Sequence, residues 1–178
     1  MRQVIRTIFF DVEKEENWLN SMSAMGLALI DYSWCRYVFE QAQSNEYIYR
    51  IEMLENHHIH SDSAAYIQFL EENGVECVAK YTRWVYLRKK AADGPFDIYT
   101  DIGSRYRYYK RVSLFYQSLF IVKLVVGLMN LGIGIANRSM LNLVLAIPVL
   151  CLAALVAKIN EPFKVKARKY EQERMIRE

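Results

Sequence analysis

His57, His58 and His60 are the only 3 histidines of the chain, and they fall within one short segment. Imidazole nitrogens suit zinc, nickel or copper, and Glu55 or Asp62 beside them could add an oxygen ligand. A single loop cannot easily aim three rings at one ion, and no cysteine lies nearby in sequence. The expected state is a polar loop, with metal a weak candidate and no cofactor called for. Glu13, Glu15 and Glu16 form a second reactive group. Carboxylates can act as general acids or bases, yet acids in a first helical turn are what the helix dipole favours anyway. They read as a solvated face. No nucleophile elbow, phosphate loop or paired CxxC occurs in the chain, so an enzyme is not expected.

The aromatic residues point toward binding instead. Trp18, Trp34, Trp84 and many tyrosines crowd the first half of the chain, interleaved with Arg36, Arg50, Arg83 and Arg88. On alternating strands Tyr47, Tyr49, Tyr81, Trp84 and Tyr86 cannot all face a core. Tyr, Trp and Arg supply interface hot spots, so Tyr47, Tyr49, Arg50, Arg83, Trp84 and Tyr86 are expected on a partner-binding sheet face. The structural alternative is a large aromatic core. Direct nucleic-acid binding is not expected, because no RNP-like string is present and acids dilute the positive charge.

The elements that would position these groups follow from pattern. QVIRTIFF (3–10) is rich in strand-forming types. Asp11 is a candidate N-cap for a helix whose apolar face carries Trp18, Leu19, Met22 and Met25 and which Gly26 stops. Residues 27–40 read as extended, as one strand or two, and Tyr47–Leu54 alternates, which suggests a hairpin with the strand before it. Ser61 to Asn73 is a second helix, capped by Ser61 or Asp62 and ended by Gly74. Residues 75–90 complete the pattern, again as one strand or two. The order β-α-β-β-α-β is the ferredoxin-like arrangement, an α+β fold with one four-stranded sheet and two helices on one face.

Behind that domain, residues 112–136 and 139–157 form two apolar runs, each long enough at about 1.5 Å per residue to cross a hydrocarbon core of roughly 30 Å. They predict a transmembrane hairpin. Arg105, Arg107, Lys110 and Arg111 precede it, and Lys158, Lys164, Lys166, Arg168 and Lys169 follow it, whereas the intervening turn offers only Arg138. The positive-inside rule then puts both termini in the cytoplasm of a multi-pass cell-membrane protein. No signal peptide opens the sequence, and Cys35, Cys77 and Cys151 form no disulfide framework; Cys35 and Cys77 are expected in strands. The expected organisation is a domain over 1–90, a linker and juxtamembrane helix over 91–111, spans over 112–136 and 139–157, and a basic tail over 158–178 held near anionic lipid. The 91–100 linker is apolar enough to pack on the sheet.

Within the spans, Lys123 is costly in lipid and a functional candidate unless it snorkels to the headgroups. Asn130 and Asn142 could hydrogen-bond across the hairpin or to another protomer. Gly127, Gly132 and Gly134 offer close-packing positions, and Pro148 is expected to kink the second span. Two spans enclose no pore, so a transport or permeability role would need a homo-oligomer.

Five stretches carry a resemblance: FFDVEKEENWLNSMSAMG, EYIYRIEMLE, YIQFLEENGVE, RWVYLRKKAADGPFDIYTD and YYKRV. Together, over roughly residues 5–112, they resemble the bacterial membrane-associated family called domain of unknown function 2812, found mainly in Gram-positive bacteria. The resemblance implies hydrophobic segments after the domain and proximity to PadR-like transcription regulators. It implies a regulatory, signalling role, and it brings no catalytic residues. The expected function is a membrane-anchored regulatory or sensory adaptor with a protein partner, and the alternative is an oligomeric transport component.

Overall fold

The computed structural model describes residues 2–177; positions 1 and 178 of the expected domain bounds lie outside that range. The chain divides into two units, Met1–Ile98 and Tyr99–Glu178.

The first unit runs β1 (Arg2–Arg6), α1 (Val12–Ala24), β2 (Leu27–Ser33), β3 (Arg36–Gln41), β4 (Tyr47–Met53), α2 (Ser61–Glu72), β5 (Val75–Tyr81) and β6 (Trp84–Lys90). The fold is α+β as expected. Both ambiguous segments are pairs of strands, so the four-strand reading is corrected to six strands in two antiparallel sheets, β1-β3-β2 and β4-β6-β5. The expected hairpin between β3 and β4 does not form. β3 already has β1 on one edge and β2 on the other, which leaves no hydrogen-bonding edge for β4.

The unit is a duplication of β-α-β-β. Gly26 and Gly74, 48 positions apart, both follow a helix with φ of 77° and 79°. Register shifts fall at Leu29/Asp31 and at Cys77/Ala79, and hairpin turns follow Ser33 and Tyr81, all at the same spacing. β2 and β5, the equivalent outer strands, run beside one another. The seam is pinned by the Tyr49 hydroxyl, which accepts the Leu29 N–H at 2.9 Å, and by Arg88, which donates to the Leu29 carbonyl at 3.0 Å. These bonds satisfy β2 backbone groups at its register shift, where ladder pairing is interrupted.

Local chemistry explains the helix ends. Asp11 caps α1 by accepting the Glu13 N–H at 3.0 Å. α2 is capped by His60 rather than Ser61 or Asp62: the ring Nδ1 accepts the Asp62 N–H at 3.3 Å. A core cluster of Leu54, Ile67, Val75, Val85 and Leu87 also includes Phe96, with Ile98 packed against it. Burying a Phe side chain stabilises by about 2 kcal/mol. The apolar linker therefore belongs to this unit, which extends past the expected end at residue 90.

The second unit is two long helices, α3 (Ile102–Ala136) and α4 (Met140–Arg177). Asp101 caps α3 by accepting the Ser104 N–H at 2.8 Å. The segments expected as juxtamembrane helix and first span form one helix, and so do those expected as second span and basic tail. A Cβ added at Gly127 would meet Leu150 Cδ2 at 2.5 Å, and one at Gly134 would meet Leu143 Cδ2 at 2.7 Å. The heptad spacing of each pair is that of a left-handed helix pair, and the missing side chains let the backbones approach. Gly132 has nothing within 4 Å and takes no part. α4 continues as helix through Pro148 and Pro162.

Toward the open end of the hairpin the seam turns aromatic. Tyr116 stacks on Phe163 at 5.6 Å and Tyr109 on Tyr170 at 5.4 Å, while the Tyr106 hydroxyl donates to Glu171 at 2.9 Å. Lys166 lies 5.5 Å from the Tyr109 ring centre and Arg174 5.8 Å from that of Tyr106. The basic tail thus doubles back along α3, with part of its charge spent on tyrosine faces. Both helices are long and apolar enough to cross a membrane, and only 11% of each apolar window is buried.

Candidate functional site

α1 buries Val12, Glu15, Leu19 and Ser23, a stripe that descends one helical face. Glu15 is therefore carried inward by the same turn geometry that buries Leu19, and it is 8% exposed. Its Oε1 accepts two hydrogen bonds, from the Tyr37 hydroxyl on β3 at 2.6 Å and the Tyr86 hydroxyl on β6 at 2.7 Å. Loss of water pushes the carboxyl above its ordinary range, and the two phenols pull partly the other way. Burial and the neighbouring carboxyl also push both phenols up, so they remain protonated donors. Among the described residues no lysine or arginine pairs with Glu15, and Oε2 carries no hydrogen bond.

Rings surround this carboxyl. Trp18 meets Tyr37 at 4.8 Å and Phe39 at 5.6 Å, edge to face, and Phe9 lies 5.1 Å from Trp18. Tyr32 contacts Tyr86 at 4.3 Å and Tyr37 at 4.7 Å, then Tyr81 at 6.0 Å; Tyr81 in turn meets Trp34 at 6.3 Å. The row leads from the carboxyl outward: Tyr86 is 3% exposed and Trp34 77%. Trp34 and Cys35 form the β2–β3 turn with φ of 40° and 60°. Two positive φ values in a two-residue hairpin turn favour Asn-Gly, and a non-glycine residue there costs roughly 1 kcal/mol or more. Cys35 is thus in a turn, not a strand.

The adjacent stripe of α1 does different work. β4 is an edge strand, and its outward backbone groups at Tyr47, Tyr49 and Ile51 face Ser23, Asn20 and Glu16. Ser23 donates to the Tyr47 carbonyl at 2.7 Å, the Asn20 amide accepts the Tyr49 N–H at 2.8 Å and donates to its carbonyl at 3.2 Å, and Glu16 accepts the Ile51 N–H at 2.8 Å. A polar helix face here substitutes for a missing strand and closes an edge open to aggregation. Desolvation raises the Glu16 pKa to about 7, against lowering by the Ile51 N–H and Arg50.

Two of three acids read as solvated are therefore structural or reactive groups, and the available signal was position: Glu15 lies one turn before Leu19 on the buried stripe. The six residues expected on a partner-binding face take different places. Tyr49 is fully buried and Tyr86 nearly so, so neither presents a surface. Arg83 clamps the Leu54 and Glu55 carbonyls at 2.8 and 2.6 Å. Tyr47 lies under Arg88, 4.2 Å from its ring centre, and Arg88 grips Glu76 bidentately at 2.8 and 2.9 Å. Tyr47, Arg50 and Trp84 stay half-buried.

The histidines also take separate tasks: the His57 and His58 rings meet tilted at 4.3 Å, His58 Nδ1 lies 2.7 Å from the Thr82 carbonyl oxygen, and His60 caps α2. Among the described residues no group of three or more His, Cys, Asp or Glu side chains is placed to hold a metal ion. All three cysteines are free, and burial pushes the Cys77 thiol up to about 11. In the hairpin Asn130 donates to the Val126 carbonyl of its own helix at 2.9 Å, and Asn142 to the Ser139 hydroxyl at 3.1 Å. Both bonds are local rather than across the hairpin. Lys123 is half-buried.

Residues 11–121 match the family described as "Protein of unknown function (DUF2812)", more than half of the chain. The chain belongs to this family. The match takes in Glu15 with Tyr37 and Tyr86, every element from α1 to β6 and the first part of α3, and begins after β1. No curated protein and no solved structure matches the chain.

Proposed function

We propose that this member of the family is a membrane-anchored sensory adaptor. The hairpin lies in the bilayer with both termini cytoplasmic, in keeping with basic flanks on both helices and a turn offering only Arg138. The first unit takes up a ligand and passes its state to a protein partner, for which a PadR-like transcription regulator is the expected class. The observation that supports sensing is the Glu15 carboxyl, 8% exposed and without a cationic partner among the described residues, inside a nest of rings. Stability alone would be served as well by an apolar side chain there, so the carboxyl argues for a ligand. A ligand that binds one state of the unit better than another shifts their populations, and the partner reads the shift.

The test is affinity capture of the tagged protein from native membranes in mild detergent, with mass spectrometry of what accompanies it. A PadR-like regulator in near-stoichiometric amount is expected, and Glu15→Gln is expected to change that amount. Recovery of the tagged chain alone, or only as its own oligomer, would overturn the adaptor reading and return attention to transport. That alternative leans on Lys123, because the hydrogen bonds of Asn130 and Asn142 are local.

A further inference from the structure

We propose that Glu15, together with the rings of Tyr32, Tyr37, Tyr81, Tyr86 and Trp34, forms a binding site for a lipophilic organic cation. The inference deepens the sensory reading and rests on it for biological meaning, although binding is measurable without any partner. Three independent observations meet at this place.

The first is charge. A carboxylate 8% exposed has no lysine or arginine partner among the described residues, and its Oε1 is occupied by two phenols while Oε2 accepts nothing. Such a group gains most from an incoming positive charge, because the low-dielectric surroundings that penalise it alone strengthen its attraction to a cation. The second is the lining. Aromatic faces attract cations through their quadrupole, and cages of them hold quaternary ammonium groups; Tyr32 touches both phenols that hold Glu15, at 4.7 and 4.3 Å. A small hydrated ion would need several oxygen ligands, whereas a delocalised or alkylated cation needs one carboxylate and rings.

The third is access. Tyr32, Tyr81 and Trp34 continue the ring contacts to the surface, where Trp34 is 77% exposed on a turn strained by two positive φ values. Asparagine and glycine would form that turn with less strain. Trp34 is the outermost ring of the row and the first that an entering ligand meets. Entry along the row passes successive aromatic rings, and the cation ends against Oε2 while Tyr37 and Tyr86 hold Oε1 in place.

The experiment is equilibrium binding of tetraphenylphosphonium to the purified full chain in uncharged detergent, followed by tryptophan fluorescence and calorimetry. Its neutral analogue tetraphenylmethane is the control. Saturable one-to-one binding of the cation is expected, with Glu15→Gln lowering affinity at least 100-fold and the neutral analogue failing to compete. Trp34→Ala, at an exposed turn and thus harmless to the core, is expected to weaken binding about tenfold. Circular dichroism and thermal melts of both variants separate lost binding from lost fold. The proposal is overturned by absent binding, by equal affinity in Glu15→Gln and wild type, or by equal binding of the neutral analogue. The adaptor reading is judged separately, by partner capture in the absence of any cation.

Discussion

The two β-α-β-β repeats share a backbone and differ in what their helices carry. Leu19 and Ile67 occupy equivalent places, at 0 and 2% exposure. One turn earlier the first repeat buries Glu15 and the second buries Ser63, which donates to the Asn56 carbonyl at 3.2 Å. The neighbouring stripe diverges further: Asn20 and Glu16 of α1 bond the free edge of β4, whereas their counterparts Gln68 and Ala64 are exposed. β1 is the equivalent edge strand and is mostly exposed. The fold thus uses one scaffold twice, and α1 carries the polar edge contacts that α2 lacks. The second repeat holds a buried acid of its own, Glu52 on β4, tied to α2 by the Tyr66 hydroxyl at 2.8 Å.

The sharpest way to test that the repeats are equal as scaffold is the core pair. Leu19→Ala and Ile67→Ala should each lower the stability of the unit by roughly 2–5 kcal/mol, measured by denaturant unfolding. A cost confined to one of them would mean that a single repeat carries the core. The polar stripes should behave oppositely. Asn20→Ala leaves the Tyr49 N–H without its acceptor, the carbonyl keeping Arg50, and should cost about 1–3 kcal/mol, while Gln68→Ala, which loses only an exposed bond to Glu72, should stay within about 0.5 kcal/mol. Equal effects would contradict edge protection by α1.

The smallest effect concerns pH. The folded pKa of Glu16 is raised from 4.5 to about 7, so between those values the folded state holds a proton that the unfolded state has released. Stability contributed by that proton is full below 4.5 and lost as pH rises toward 7. Glu15 is shifted the same way. Melting temperatures of wild type should fall across this window, and Glu16→Gln, whose amide oxygen can still accept the Ile51 N–H, should fall less steeply. Ala64, the counterpart in the second repeat, has nothing to titrate. A wild-type profile parallel to that of Glu16→Gln would remove Glu16 as the source.

Much was legible in sequence because it rests on local rules. The apolar runs between 112 and 157, the cap at Asp11 and the stops at Gly26 and Gly74 depend on composition or on one residue's conformational preference, and the structure places helices and ends accordingly. The duplication was not legible, since its signature lies in φ angles and register shifts while the side chains have diverged. Pairing partners were equally hidden: that β3 takes β1 rather than β4 is a competition between strands distant along the chain. The tail's path back along α3 depends on tyrosines some sixty residues away in sequence.

What the sequence by itself determined is where apolar surface is long enough to cross a bilayer and where helices begin and end, because hydrophobic length and capping are properties of contiguous residues. Only the tertiary structure decided that Glu15 leaves the solvent. That required Tyr37 and Tyr86, 22 and 71 positions away, to converge on one carboxyl oxygen, and no property of a contiguous segment records which distant hydroxyls will meet.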